Sequence, residues 1–309
     1  MKITWGLENA SYNERTIATL GSYDGVHLGH QKILERLCER KDELGLARSV
    51  LLTFHPHPQE VLRRNNPSIE LLTTIEERLA LIAEQGIDET VVIEFTKEFA
   101  QTSYIDFFQN TIVGKLGTKA MVVGFNHAFG KNREGDAEHL KQLAPRLGVS
   151  IEEVPPFVLN EVAISSTKIR NALQSNDLAN ANAWLGRPYS FSGTVIHDEA
   201  IGRELGYPTA NLDVALPKLV PADGVYAARV FWRGNRHLAA LSIGTKPTTH
   251  EGGERAIECL LLDFDGDLYN ESLTVECLHY LRPQEKFADL ESLKQAISSD
   301  VTAVRSMLN

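Results

Sequence analysis

Two histidines close to the N-terminus stand where a phosphate group could bind. His27 and His30 are three residues apart with Gly29 between them, and they follow a short apolar run at residues 16–20. The segment between that run and His27 contains Gly21, Tyr23, Asp24 and Gly25. At the end of a first parallel strand, free amides and a helix dipole favour phosphate, and imidazoles can donate to charge developing at phosphorus. The spacing therefore predicts a phosphate-binding loop.

Two other interpretations of this loop stay open, because its histidines could instead cap the following helix or bind a metal. A His-x-x-His pair with a glycine inside it matches a metal pair poorly, and no third ligand is obvious nearby. The loop contains neither G-x-x-x-x-G-K-S/T nor G-x-G-x-x-G, so it is neither a P-loop nor a dinucleotide fingerprint.

Polar residues follow other apolar runs of the first half. They are His57 and Pro58 after residues 49–54, Asn126 after 120–125 with Arg133 beyond it, and Ser165, Ser166 and Thr167 ahead of Arg170. Residues that follow parallel strands lie at the ligand-facing edge of the sheet, and hydroxyls at a helix start with an arginine one turn later favour a charged ligand. The alternatives are a rigid turn at His57, an Asx-turn at Asn126 and an ordinary N-cap in the serine run.

The second half contains a loop rich in glycine. Gly202, Gly206 and Pro208, with Gly193 upstream, would let this loop wrap phosphates, although a β-turn without a ligand uses the same residue types. Thr209 and Asn211 would face the same way in an extended chain and could hold Mg²⁺ together with phosphate oxygens.

Glu258 lies in an apolar run at residues 255–263. On a strand, its side chain would share one face with Ala256, Leu260 and Leu262. A carboxylate on such an apolar face is energetically costly, so its presence there requires an explanation. The alternative is an outward-facing glutamate on an edge strand. The position of Glu258 therefore calls for an explanation.

The elements around the first group of residues predict an open α/β domain. Short apolar runs at 16–20, 49–54, 90–95, 120–125 and 150–154 alternate with segments of helical period. One helix is predicted over 29–44, with Ile33, Leu34, Leu37 and Leu44 on one stripe. Another begins in a capping box of Thr74 and Glu77 and stops at Gly86.

The pattern changes in the second half. After predicted helices at 166–174 and 177–185, we expect a domain boundary near 182–188. Runs at 189–196, 224–232, 236–243, 255–263 and 272–280 predict an antiparallel barrel or sandwich. Leu290, Leu293 and Ile297 have helical spacing and predict a helix over 289–297 that packs against it.

Composition and charge exclude several classes of protein. The 309 residues suffice for two domains, and 43% apolar and 23% charged residues are ordinary for a chain that folds throughout. A formal charge of −10 argues against binding to nucleic acid but not to small nucleotides. No apolar stretch or signal pattern predicts a membrane contact, so we expect a cytoplasmic protein. We expect its three cysteines, Cys38, Cys259 and Cys277, to be reduced packing residues.

Several motifs resemble one family. Residues 27–30, HLGH, resemble the HxGH signature of the nucleotidyltransferase superfamily, and the surrounding residues 23–27 are similar to the bacterial riboflavin kinase/FAD synthetase family. Segments 53–58, 124–136 and 164–170 match the same family in order, and 202–212 resembles its riboflavin kinase signature, G-x-x-L-G-x-P-T-A-N. Segments 242–248 and 263–269 and Arg282 with Lys286 and Phe287 are similar too. Thr249 stands where the family commonly has an aromatic residue.

The resemblance implies two domains with different chemistry. Residues 1–184 would form a Rossmann-like FMN adenylyltransferase domain, and residues 185–309 a riboflavin kinase domain built as a small antiparallel β-barrel with a C-terminal helix. ATP would phosphorylate riboflavin to FMN in the second domain and adenylylate FMN to FAD, with release of pyrophosphate, in the first. Mg²⁺ is the implied metal, and no nucleic acid or membrane partner is expected.

The same resemblance implies roles for the candidate residues. His27, His30 and Glu258 would be catalytic, with Glu258 as general base on the terminal ribityl hydroxyl. Gly21, Tyr23, Asp24, Gly25, Gly29, Asn126, Ser165, Ser166, Thr167 and Arg170 would bind ATP or its phosphates in the first domain. His57, Pro58, Asn126 and Arg133 would bind its flavin. Gly193, Gly202, Gly206, Pro208, Thr209, Asn211 and Arg282 would bind ATP and flavin in the kinase domain, with Thr209 and Asn211 on the metal.

Two alternative functions remain. One is a different small-molecule nucleotidyltransferase with an appended β-domain, against which the loop at 208–211 and Glu258 argue. The other is a non-catalytic flavin or nucleotide sensor on the same fold, which would have no need of a general base.

Overall fold

The structure is a computed structural model that describes residues 1–62, 69–197, 206–245 and 255–308. The chain divides into two compact units, Met1–Ser166 and Thr167–Asn309. This border precedes two helices that the sequence analysis assigned to the first domain, and the functional border at 184/185 stays a prediction. Gly202 and Thr249 lie outside the described residues. Within the described ranges, no helix has the length and apolar content that a membrane crossing requires.

The first unit is organised around a parallel sheet. Its strands are β1 (Lys2–Trp5), β2 (Thr16–Leu20), β3 (Arg48–His55), β4 (Glu89–Glu94), β5 (Thr118–Gly124), β6 (Ala128–Phe129), β7 (Gly135–Asp136), β8 (Ser150–Val154), β9 (Val158–Leu159) and β10 (Val162–Ala163). Six of them form a sheet in the order β1-β4-β3-β2-β5-β8, while β6 pairs with β7 and β9 with β10. The predicted α/β domain is confirmed.

Helices cover both faces of this sheet. They are α1 (Leu28–Glu43), α2 (Pro58–Leu62), α3 (Ile75–Ala83), α4 (Tyr104–Asp106), which continues as a π-helix (Phe107–Lys115), and α5 (Ala137–Leu143). Short 3₁₀ turns lie at Leu7–Asn9, Phe99–Gln101, Lys131–Arg133 and Ala144–Leu147. The predicted capping box of Thr74 and Glu77 opens α3.

Alternate residues of the central strand β3 enter two separate cores. Val50 and Leu52 pack with the π-helix on one face, whereas Leu51 packs with Leu34 and Leu37 of α1 on the other. Each fully buried aliphatic side chain of this kind contributes roughly 1.5–3 kcal/mol. Leu44 was wrongly placed on the buried stripe of α1, because it follows the last helical residue and is 42% exposed.

The second unit begins with two helices and continues as a barrel. Its elements are α6 (Ser166–Gln174), which starts at the border, α7 (Leu178–Leu185), β11 (Tyr189–Ile196), β12 (Ala210–Asp213), β13 (Gly224–Trp232), β14 (Asn235–Thr245), β15 (Arg255–Leu261), β16 (Ser272–Arg282) and α8 (Leu290–Leu308). The strands close in the order β11-β12-β15-β14-β13-β16, and β11 also pairs with β16. Of the two predicted architectures, the barrel is confirmed.

Helix α8 covers part of the outer face of the barrel. Its residues Ile297, Val301 and Val304 pack against Ala240 and Leu260 of the strands. The prediction that this helix stops at residue 297 was wrong, because the apolar spacing continues through Val301 and Val304 to the end.

Candidate active sites

Asp24 fixes the loop between β2 and α1 from the inside. Its side chain is 1% exposed and accepts hydrogen bonds from the Leu72 and Thr73 amides at 3.1 and 3.0 Å and from the Thr73 hydroxyl at 3.1 Å. The Gly25 amide donates to the same hydroxyl at 3.0 Å, and Ser166 Oγ donates to the Asp24 carbonyl at 2.9 Å. Asp24, predicted to bind ATP or phosphate, thus holds the shape of the loop through contacts within the protein.

Tyr23 and the glycines beside it set the path of this loop. Tyr23 is 3% exposed, and its hydroxyl shares a hydrogen bond of 2.7 Å with Thr19. A Cβ at Gly21 would lie 3.0 Å from the Tyr23 ring. Gly25, with φ of 83°, occupies the left-handed region in which glycine is unstrained. These predicted ATP contacts therefore have structural reasons of their own.

His27 caps helix α1. Its Nδ1 accepts from the backbone amide of His30 at 3.2 Å, as an Asn or Ser side chain does at other N-caps. A neutral His27 must then carry its proton on Nε2, which makes that nitrogen a donor. Gly29 permits this geometry, because a Cβ there would lie 3.2 Å from the His27 ring. The capping alternative is therefore confirmed, and it is compatible with phosphate binding through Nε2.

His30 stacks on His27 and is kept neutral. The two ring centroids are 3.6 Å apart with an interplanar angle of 15°, and the Tyr23 ring lies 5.0 Å from His30. Burial, followed by the charges of His27 and Arg78, holds the pKa of His30 well below its usual value. Its buried Nδ1 forms no hydrogen bond with any described residue. At neutral pH, His30 is therefore a neutral imidazole and not a cation.

Arg78 is a buried cation beside this loop that the sequence analysis did not select. It is 1% exposed and donates from Nη1 to the Phe54 carbonyl, near the end of β3, at 3.3 Å. The buried face of α3 consists of Ile75, Arg78, Leu79 and Ile82. The signal in the sequence was a charged arginine at a position where the helical spacing calls for an apolar residue. The same kind of argument selected Glu258.

A second group of candidates follows β5. Asn126 is exposed, and Arg133 reaches back to donate to its carbonyl at 3.5 Å, so the structure brings these two predicted flavin contacts together. His127, between them in sequence, packs on Phe129 at 5.5 Å between ring centroids. Burial, with a smaller effect of Arg133, lowers the pKa of His127 to about 4. The residues after β5 therefore combine an exposed amide, a cation and a neutral imidazole.

The remaining candidates of the first site start two short helices. The amide of Gln59 donates to His57 Nδ1 at 3.2 Å, ahead of which the peptide bond between His55 and Pro56 is cis. His57 is buried, and Pro58 is the first residue of α2. Ser165, Ser166, Thr167 and Arg170 lie at the start of α6, as predicted. Of these, Ser166 bonds to the β2–α1 loop as described above.

Glu258 lies opposite two polar residues of neighbouring strands. In the antiparallel ladders, it pairs with Asn211 of β12 on one side and with Ser242 of β14 on the other. Directly opposed residues share a face, with Cβ atoms roughly 4.5–5.5 Å apart. All three side chains are partly exposed. The barrel thus presents a row of amide, carboxylate and hydroxyl groups on one face.

Gly193, Gly206 and Pro208, which the structure describes, differ in their surroundings. Gly193 is buried where β12 passes closely, since a Cβ there would lie 2.9 Å from the Asp213 carbonyl oxygen. Gly206 has φ of 82° and Pro208 is exposed. Thr209 is partly exposed, immediately before β12. Gly193 therefore has an architectural role, while Asn211 lies opposite Glu258 and Thr209 comes two residues before Asn211 in the chain.

Arg282 is held by the C-terminal helix. Its Nε and Nη2 donate to the two carboxylate oxygens of Asp300 at 2.9 and 2.8 Å, and the Phe287 ring centroid lies 5.8 Å from the guanidinium. Arg282 was predicted to contact ATP or flavin. The structure gives its guanidinium a bidentate ion pair that joins β16 to α8.

Comparison with known proteins assigns each half to a different family model. Residues 9–168 match the model for FAD synthetase, and residues 185–308 match the model for riboflavin kinase. The bifunctional riboflavin kinase/FMN adenylyltransferase of Pseudomonas fluorescens is 36% identical, with 99% of this chain and 98% of that protein covered. The protein of the same name from Listeria monocytogenes is 35% identical, with 94% and 91% covered.

A solved structure agrees over the whole length. It is described as a macrolide-efflux protein from Streptococcus pneumoniae and has a TM-score of 0.89 at 29% identity, with 99% of each chain covered. The predicted resemblance is confirmed by the family models and by the relatives. With a FAD synthetase part followed by a riboflavin kinase part, this chain belongs to the family of bifunctional riboflavin kinase/FMN adenylyltransferases.

Proposed function

We propose that this chain catalyses both reactions for which its family is named. ATP phosphorylates riboflavin to FMN at the barrel, in a domain of residues 185–309, and adenylylates FMN to FAD in a domain of residues 1–184. The observation that carries the proposal is the cross-strand pair of Glu258 and Asn211, which puts a candidate base beside a candidate nucleotide contact. The cytoplasmic location and the lack of a nucleic acid partner stay predictions.

In the kinase reaction, Glu258 acts as the general base. The terminal ribityl oxygen of riboflavin forms a bond to the γ-phosphorus of ATP, the bond to the β–γ bridging oxygen breaks, and ADP leaves. The hydroxyl proton passes to the Glu258 carboxylate. Glu258 is partly exposed, which is compatible with this role.

Adenylyl transfer needs positioning more than acid or base chemistry. An oxygen of the FMN phosphate, already ionised at neutral pH, forms a bond to the α-phosphorus of ATP, and pyrophosphate leaves as the α–β bridge breaks. His27 Nε2 donates a hydrogen bond to the phosphates at the positive end of α1. His30 stays neutral behind it, Asp24 fixes the loop, and Arg78 lies buried beside it. Asn126, His57 and Arg133 contact the flavin, and the ATP contacts of Thr167 and Arg170 stay predictions.

Mg²⁺ fits the residues of the kinase loop. Thr209 and Asn211 have neutral oxygen donors, and Mg²⁺ is usually held by few protein oxygens together with substrate phosphates and water. Among the residues that the structure describes, no three or more His, Cys, Asp or Glu side chains are grouped to hold a metal by themselves. Thr209 and Asn211 would therefore hold the ion with the nucleotide, and bound Mg²⁺ would neutralise phosphate charge.

The test is product analysis. Purified protein is incubated with riboflavin, ATP and Mg²⁺, and the flavins are separated by chromatography. We expect FMN and FAD. Saturable binding of riboflavin or ATP with neither product would contradict the proposal and favour the sensor. FAD formation from supplied FMN without any phosphorylation of riboflavin would reject the kinase assignment alone.

A further inference from the structure

The row of polar residues around Glu258 extends further than the sequence predicted. Ser242 lies opposite Glu258 in the ladder between β14 and β15, on the side away from Asn211. The neighbours along this row are small or apolar: Gly244 opposes Ala256, and Ala240 opposes Leu260. The Ser242 hydroxyl is thus the polar side chain that β14 presents next to the carboxylate.

Gln284, two residues after β16, holds this serine. Its Nε2 donates to Ser242 Oγ at 2.6 Å and to the Ile243 carbonyl at 3.3 Å. A Cβ at Gly244 would lie 2.8–3.1 Å from the Gln284 side chain, so the glycine leaves the space that the glutamine fills. Two hydrogen bonds and a close approach therefore fix the amide over this end of β14.

The donor and acceptor capacity of the Ser242 hydroxyl then shows which further hydrogen bond it can form. A serine hydroxyl has one proton to donate and two lone pairs that accept. Since Ser242 Oγ accepts from Gln284, its proton is available for an acceptor across the ladder. Carboxylates accept hydrogen bonds but donate none when ionised, and opposed Cβ atoms lie roughly 4.5–5.5 Å apart.

We propose that Ser242, oriented by Gln284, is a positioning residue that donates to the Glu258 carboxylate when the substrates are bound and so aims the other carboxylate oxygen at the ribityl hydroxyl. This inference rests on the proposed role of Glu258 as general base. The donated bond fixes the rotamer of the carboxylate and keeps a lone pair directed at the proton to be removed. Ser242 touches neither the transferred phosphate nor the proton, so it acts on turnover and not on substrate affinity.

The experiment measures kcat and KM of riboflavin phosphorylation in the full chain for Ser242→Ala, Ser242→Thr and Gln284→Met. We expect Ser242→Ala to lower kcat about 10- to 100-fold, the effect of losing a hydrogen bond to a charged group, with KM for riboflavin and ATP within about 2-fold. Ser242→Thr keeps the hydroxyl and should stay within about 3-fold of wild type. Gln284→Met should lie between them. Thr274→Val is the matched control, because its hydroxyl bonds to Ser192 on another part of the barrel.

Three outcomes would overturn the inference: a wild-type kcat in Ser242→Ala, an equal loss in Ser242→Thr or Thr274→Val, or a loss confined to KM. FAD formation from supplied FMN reports on the first unit, and thermal unfolding reports on folding of each variant. Glu258→Gln distinguishes failure of the positioning role of Ser242 from failure of the proposed role of Glu258 as the base. If Glu258→Gln is inactive and Ser242→Ala is normal, only the positioning role fails, whereas an active Glu258→Gln rejects the proposed base itself.

Discussion

Glu258 and Asn211 lie directly opposite each other in the ladder between β15 and β12, although they are 47 positions apart in the chain. One comes from an apolar run and the other from the loop signature that precedes a short strand. The pairing of β12 with β15 makes them neighbours, so the proposed base and the proposed nucleotide contact are positioned by backbone hydrogen bonds and not by flexible loops.

Replacing Asn211 should therefore affect one reaction only. We expect Asn211→Ala to lower the rate of riboflavin phosphorylation at least about 10-fold, because an oxygen donor beside the base is lost. FAD formation from supplied FMN should be unchanged. Asn235→Ala, at the exposed start of β14, is the control and should behave as wild type. Normal phosphorylation by Asn211→Ala at both low and high Mg²⁺ would reject its role.

The two functions of His27 can be separated by substitution. His27→Ala removes the N-cap of α1 and should lower the free energy of unfolding by about 1 kcal/mol. His27→Asn retains a side-chain acceptor for the His30 amide and should keep most of that stability. Both variants lack the imidazole donor, so both should lose FAD formation from FMN. Urea denaturation and product analysis check this pair, and an active His27→Asn would show that capping is the whole role of His27.

The local sequence pattern was enough to predict four strands with the first and last residues that the structure shows. Thr16–Leu20, Ser150–Val154, Tyr189–Ile196 and Gly224–Trp232 are apolar or alternating runs bounded by turn residues, which specify strands without knowledge of their partners. The four-residue strands β1 and β12 were missed. They are strands because β4, β11 and β15 supply their hydrogen bonds, which is information that no short window contains.

The candidate site residues also divide into those that the local sequence could indicate and those that it could not. Motif residues such as His27 and Glu258 could be selected because their types are unusual for their positions. Arg78 carried the same signal on α3 and was overlooked. Ser242 and Gln284 could not be found by that argument, since a serine and a glutamine in polar surroundings are ordinary and only the strand register places them around Glu258.

His127 should make the first unit acid-sensitive. Its pKa is lowered to about 4 by burial, whereas the unfolded chain protonates near the usual value of about 6.5. The stabilisation is therefore present above pH 6.5 and is lost as pH falls toward 4, by at most about 3 kcal/mol. His127→Phe should remove this part of the pH dependence. Urea denaturation of both proteins from pH 7.5 to 4.5 measures it, and parallel curves would contradict the prediction.

The buried carboxylate of Asp24 should matter for both stability and FAD synthesis. Asp24→Asn can accept from only one of the Leu72 and Thr73 amides and turns its NH2 group toward the other, so we expect about 2–3 kcal/mol of destabilisation. FAD formation from FMN should fall, with riboflavin phosphorylation retained. Asp136→Asn is a matched control, because Asp136 is an exposed N-cap of α5 and asparagine caps equally well. Equal stability of the two variants would refute the positioning role.

The most direct test of the account is the product pattern of Glu258→Gln with riboflavin, ATP and Mg²⁺, and then with FMN in place of riboflavin. Glutamine keeps the size of the side chain but cannot accept the ribityl proton as a base. The account predicts no FMN and no FAD from riboflavin, and FAD at the wild-type rate from supplied FMN. FAD produced from riboflavin by Glu258→Gln would contradict it.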